Sequence, residues 1–176
     1  VGIATISFYS IRVRKATKHL SENSQTKERQ NNLNNLLTGQ QNLKGMANKL
    51  LSYLVPMLRA NQAALFLSDD NDEYQLVGSY GIDLEELKQT SYKLGQGLVG
   101  QCAQDEVALT VDAIPSDYMK VTSGLGEALP KLICLFPIKY KDNVIAVLEF
   151  SSLSNVENNI DDILAPLLGI ISTALH

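Results

Sequence analysis

The chain has 176 residues, 45% of them hydrophobic, and carries 15 Lys and Arg against 19 Asp and Glu, a formal net charge of -4. This apolar content excludes wholesale disorder, and an acidic balance argues against a nucleic-acid partner, which needs clustered Lys and Arg. Two cysteines, Cys102 and Cys134, cannot build a four-thiolate metal site and do not make a disulfide framework, so a reducing compartment is expected.

The chain starts at Val1 rather than Met, as expected of a piece of a longer protein. Residues 1–11, VGIATISFYSI, are apolar, and Arg12, Arg14, Lys15 and Lys18 follow them. A membrane-spanning helix needs about 20 residues, so this run alone cannot cross. As the tail of a longer span its basic flank fits an exit on the cytoplasmic side of the inner membrane. The start of a soluble helix is the other reading.

Residues 18–35 are polar and contain neither Pro nor Gly. Leu36, Leu43 and Leu50 then fall seven apart, with Met46 and Tyr53 interleaved, a short heptad seam. This predicts one long helix from the basic flank to about Leu58, weakened at Gly39. The helix would pair with a copy of itself or pack on its own domain. Pro56 should kink or stop it.

Residues 61–68, NQAALFLS, and 74–80 predict a strand pair around the polar turn 68–73. The acidic turn lacks the glycine and glutamate that a calcium loop requires at the positions of Tyr74 and Tyr80, so it is read as a solvated hairpin turn. Residues 83–89 read as a short exposed helical turn.

Next comes LGQGLVGQCA, residues 94–103. Its Gly95-x-Gly97-x-x-Gly100 fits a dinucleotide fingerprint, but that fold needs a long crossover to a parallel neighbour. Here a strand-like run starts at Val107, directly after a helix over about 98–105. The segment is therefore read as a short helix behind a tight glycine turn, leaning on a sheet. A third strand is expected over 107–113, then a long irregular stretch over 114–131. Long loops within compact domains are often functional.

Residues 132–140 and 143–151 predict a hairpin turned at Lys141-Asp142-Asn143. Its strands are apolar on both faces, so both should be covered. Pro137 cannot donate to the ladder and belongs at an edge or bulge. Asn158 or Asn159 should cap a final helix whose apolar stripe includes Ile160, Ile163, Leu164, Leu167, Leu168, Ile171 and Leu175, interrupted by Pro166.

No chemistry-bearing motif stands out. His19 and His176 lack metal-spaced neighbours, no nucleophile–base signature is present, and the cysteines are read as small buried hydrophobes.

The order of GQGLVGQ, SGLGEALP and PIKYKDNVIAVLEFSS resembles a GAF domain from about residue 41 onward. The likeness points to GAF domains of bacterial membrane-linked sensor proteins of the histidine kinase type. It implies an α+β fold: a central antiparallel sheet with N- and C-terminal helices on one face and loops and short helices on the other. A juxtamembrane signalling helix over 1–40 would precede a GAF domain over 41–176. The resemblance implies a non-catalytic sensory module without a cofactor, acting as a homodimer through its first and last helices, with a kinase module downstream. A cyclase or diguanylate cyclase output is the alternative. A small molecule would lie between the sheet and residues 114–131, touching Tyr80, Leu98, Tyr118, Ser123, Leu135 and Glu149. GAF subgroups that hold a bilin, reduce methionine sulfoxide or bind cyclic nucleotides carry cysteine or N-K-F-D-E patterns not found here. An enzyme using the pocket and a ligand-free relay remain the competing readings.

Overall fold

The computed structural model describes residues 2–39, 42–82, 89–114, 120–123, 126–154 and 160–176. The predicted cap at Asn158 or Asn159 and nearly all of the helical turn over 83–89 lie outside them.

The long amphipathic segment forms two helices, α1 (Gly2–Leu37) and α2 (Leu43–Met57), not one. Two local devices break it. Gly39 has φ of +78°, a backbone that glycine adopts without strain. Asn42 then caps α2, its Oδ1 accepting the Gly45 N–H. The heptad spacing of Leu36, Leu43 and Leu50 therefore does not run along one helix. Leu33, Leu37, Leu50 and Leu54 are buried in a core formed with other elements of the same chain, whereas Leu43 is 38% exposed.

After α2 come β1 (Gln62–Ser68), β2 (Glu73–Tyr80), β3 (Ser91–Lys93), α3 (Gly97–Asp105) and β4 (Leu109–Val111). A small hairpin, β5 (Val121–Ser123) and β6 (Gly126–Ala128), precedes β7 (Leu132–Tyr140), β8 (Asn143–Ser152) and α4 (Ile160–Leu175). The antiparallel sheet has strand order β3-β2-β1-β8-β7-β4, with β5 and β6 paired separately. Three expectations change. The third strand shrinks to Leu109–Val111, because Val107 is solvent-exposed. The stretch 114–131 contains a hairpin. A short strand, β3, was not foreseen.

Strand pairing sorts the sheet's side chains onto two faces. Ala63, Leu65, Cys134, Phe136, Ile138, Ala146, Leu148 and Phe150 join Leu164, Leu167 and Ile171 of α4 and the buried residues of α1 and α2 in one core. In this helix layer α2 packs on β1 and β2, α4 on β7 and β8, and α1 on α2 and α4. Tyr53 Oη donates to Arg29 O (3.1 Å), and Gln30 Nε2 to Pro166 O (2.9 Å), tying α1 to both helices. On the other face Ala64, Phe66, Tyr74, Ile133, Leu135 and Val147 pack with Val99, Cys102 and Ala103 of α3. The expectation that β7 and β8 are covered on both faces is met.

Pro137 pairs with Val147 where β7 has passed the end of β4, one residue before a register shift at Ile138/Lys139. Among the described residues no helix is long and apolar enough to cross a membrane.

Candidate functional site

The α3 face of the sheet is positioned by the glycine segment. β3 and β4 lie at opposite edges of the sheet, so α3 links the two edges and is no crossover between parallel neighbours. That topology removes the dinucleotide-fold reading. Gly95 (φ +76°) and Gly97 (φ +61°) make the turn. It closes through Gly95 N–H to Gly100 O (2.8 Å) and Gln96 N–H to Lys93 O (2.9 Å). Gly100 is needed for contact: a Cβ there would stand 2.1 Å from Lys93 O.

Under α3 the face is apolar, with Phe66 and Tyr92 ring centroids 5.4 Å apart edge to face. Further along the strands its character changes. Ala64, Glu149 and Leu135 lie side by side across β1, β8 and β7, and the next row is Gln62, Ser151 and Ile133. Gln62, Glu149 and Ser151 are all buried. Ser151 Oγ–H donates to Gln62 Oε1 (3.3 Å), and Gln62 Nε2 donates to Gly81 O (2.9 Å) and Lys120 O (3.3 Å). Burial raises the Tyr92 hydroxyl's pKa, and the Glu149 charge adds to the effect. The Cys102 thiol is pushed up to about 12 by burial first, then by Asp105 and Glu149. It stays protonated and a poor nucleophile at neutral pH. Cys134 is also raised by burial but belongs to the helix-side core, so the two cysteines sit on opposite faces of the sheet.

Of the residues expected to touch a ligand, the structure brings three together. Glu149 pairs directly with Leu135, and Leu98 packs on the cluster containing Leu135. Tyr80 does not join them: it pairs with Ala63, a helix-side residue. Tyr118 and the side chain of Ser123 lie outside the described residues. Gln62, Ser151 and Tyr92 were missed. The available signal was the i, i+2 repeat of Glu149 and Ser151 on one strand, matched by a polar residue opening β1.

A separate concavity of about 570 Å³ opens at the far end of the sheet between Asp69, Asp72, Glu106 and His176. Two of its acids are engaged locally: Asp69 Oδ1 accepts the Asn71 and Glu73 N–H groups, and Glu106 pairs with Lys139 at 2.8 Å. No cluster of three or more His, Cys, Asp or Glu among the described residues could hold a metal ion.

A twisted antiparallel sheet with a helix layer behind it, and a glycine-turned helix over a face that buries polar groups, defines an α+β domain of the regulatory and sensory type. The model of the GAF domain family matches residues 40–176, and the chain belongs to that family. Solved structures share the fold. The GAF domain from Acinetobacter phosphoenolpyruvate-protein phosphotransferase superposes with a TM-score of 0.68 at 16% identity, covering 86% of this chain and 92% of that one. The A. aeolicus nlh2 GAF domain in an inactive state gives 0.63 at 17% identity, with 88% and 94% covered. Free methionine-R-sulfoxide reductase from Neisseria meningitidis in complex with its substrate gives 0.61 at 18% identity, with 85% of each chain covered. No match is found among curated proteins.

Proposed function

We propose that this GAF domain is a non-catalytic sensory module that takes a small molecule on the α3 face and passes its occupancy to the helix layer. The observation that carries this reading is the buried polar set Gln62, Glu149 and Ser151 on an otherwise apolar sheet face. Burying polar groups is costly; Gln62 and Ser151 offset that cost with bonds inside the chain, and Glu149 places a carboxylate on the same face as the apolar cluster. A ligand shifts such a module only through unequal affinity for two arrangements of its helices. The cysteine arrangement supports a non-catalytic role, since a thiol held near 12 and a second across the sheet do not form a redox pair.

The module serves a membrane-linked sensor of the histidine kinase type, with α1 as the juxtamembrane helix on the cytoplasmic side and α1 and α4 pairing with those of a second copy. The basic residues after residue 11 support the first point. Half-buried Ile163, Leu168 and Ile170 on α4 support the second. A ligand-free relay is the second reading, favoured by the hydrogen bonds that Gln62 already makes within the chain.

Native mass spectrometry of the purified chain tests the ligand and the pairing together. A dimer carrying added mass, with that mass lost in Glu149→Leu, is the expected result. A dimer with no added mass would leave the relay, and a monomer at high concentration would refute the pairing.

A further inference from the structure

Gln62 stands where three parts of the molecule meet. Its amide joins the start of β1 to Gly81 after β2, to Lys120 before β5 and to Ser151 on β8. The backbone just before it is fastened to the end of β8. Asn61 N–H donates to Ser151 O (2.8 Å), and Asn61 Oδ1 accepts the Leu153 N–H (2.8 Å). Arg59 O accepts Ser152 Oγ–H (3.1 Å). α2 ends immediately upstream, capped at Leu58, and Arg59 turns the chain with φ of 52°. Only residues 58–61 separate the last turn of α2 from Gln62, and hydrogen bonds hold most of them.

We propose that Gln62 is the positioning residue that couples the α3 face to the helix layer. Residues 81 and 120 sit beside that face, and their carbonyls are held by one amide. A buried amide does not release one partner without leaving a polar group unsatisfied, so these segments move with Gln62. Its movement is transmitted through residues 58–61 to α2 and through Ser151 to the end of β8. α2 in turn packs against α1. The inference rests on the sensory reading above for what sets residues 81 and 120 in motion.

Hydrogen-exchange mass spectrometry on the whole chain tests it, comparing wild type with Gln62→Met and Ser151→Ala. Gln62→Met keeps the length and apolar stem but makes none of the three bonds. Exchange is expected to rise about tenfold, the scale of one lost buried hydrogen bond, at residues 81–82, 120–123 and 151–154 and, beyond the bonds Gln62 makes itself, at 59–61 and the last turn of α2. α3 and β7 should stay as slow as in wild type. Ser151→Ala should raise exchange only at 151–154. A uniform rise across the chain in Gln62→Met, or a change confined to residue 62 and its immediate neighbours, would overturn the proposal. Should Gln62→Met fail to fold, Gln62→Glu keeps the shape and the acceptor for Ser151. It should loosen 81–82 and 120–123 while 151–154 stays protected, and a uniform rise would again overturn the proposal. The ligand reading fails separately: the expected pattern in a protein that retains no added mass would leave the coupling standing without the ligand.

Discussion

Two glycines, Gly100 and Gly169, should answer the same substitution with opposite signs. Gly100 lies in α3 where the helix leans on β3. A Cβ there would meet Lys93 O at 2.1 Å and Gly95 N at 3.1 Å, both backbone atoms, whereas ordinary contact begins at 3.4 Å. Alanine therefore forces α3 and its turn apart by roughly 1 Å or more, more than side-chain adjustment absorbs. Overpacking of this kind costs about 1–3 kcal/mol. The displacement also stretches the Gly95–Gly100 and Gln96–Lys93 bonds that close the turn, at about 1 kcal/mol for one bond lost. The gain in helix propensity, about 1 kcal/mol, offsets the last term. Gly100→Ala should thus lose about 1–3 kcal/mol, a fall in Tm of roughly 2–12 °C for a domain this size. Gly169 sits inside α4 with nothing within 4 Å of an added Cβ, so Gly169→Ala should gain about 1 kcal/mol from propensity alone. Urea unfolding followed by circular dichroism, with unchanged m-values, measures both. A Gly100→Ala variant within about 0.5 kcal/mol of wild type, the range of neutral surface changes, would refute the close-contact argument.

Leu33 is fully buried, whereas Leu20 on the same helix is 69% exposed. Leu33→Ala should cost about 2–4 kcal/mol and Leu20→Ala less than about 0.5 kcal/mol by urea unfolding; equal effects would mean that α1 does not pack on the domain. Asp69 has its pKa lowered by hydrogen bonds from the Asn71 and then the Glu73 backbone N–H. Its contribution is fully present above the ordinary carboxylate pKa and is lost as pH falls through the lower folded value. The protection of the Asn71 and Glu73 amides, taken as exchange relative to the intrinsic rate at each pH, should therefore hold at pH 5 and fall in strong acid, and Asp69→Ala should remove that fall. Both thiols are buried and raised in pKa. Ellman's reagent at pH 8 should find neither in the native protein and both in denaturant, and rapid native labelling would contradict the buried assignment.

The β7–β8 hairpin was legible because its two strands are long and apolar at nearly every position, which a two-sided burial demands. The split between α1 and α2 was half legible. Gly39 marked the weak point, but the heptad spacing hid the shared core that Leu33 and Leu37 join with Leu50 and Leu54, whose merit exists only once the chain has turned back. β3 has three residues and β5 and β6 three each, too few for any period to show. Tyr80 illustrates a different limit. Strict alternation from Tyr74 and Leu76 would put it on the α3 face. A bulge at the Leu65/Phe66 register shift leaves Val77 over, so Gly78 pairs with Leu65 and Tyr80 with Ala63. One inserted residue moves everything beyond it to the opposite face, and nothing in the side chains announces it. Glu149 and Leu135 escaped this because β7 and β8 stay in register between them.

The shortness of β3 and β4 also governs how this protein avoids unwanted company. A sheet's outer strand is a template on which another chain can add, and the two edges here are three residues each. Past β4, the open side of β7 carries Pro137, which offers no N–H to an incoming strand. Past β3, the Ser79 N–H of β2 is taken by Asn48 Oδ1 at 3.2 Å. Both margins are therefore poor nuclei for strand-by-strand aggregation, and the domain can sit at high concentration without its sheet edges joining.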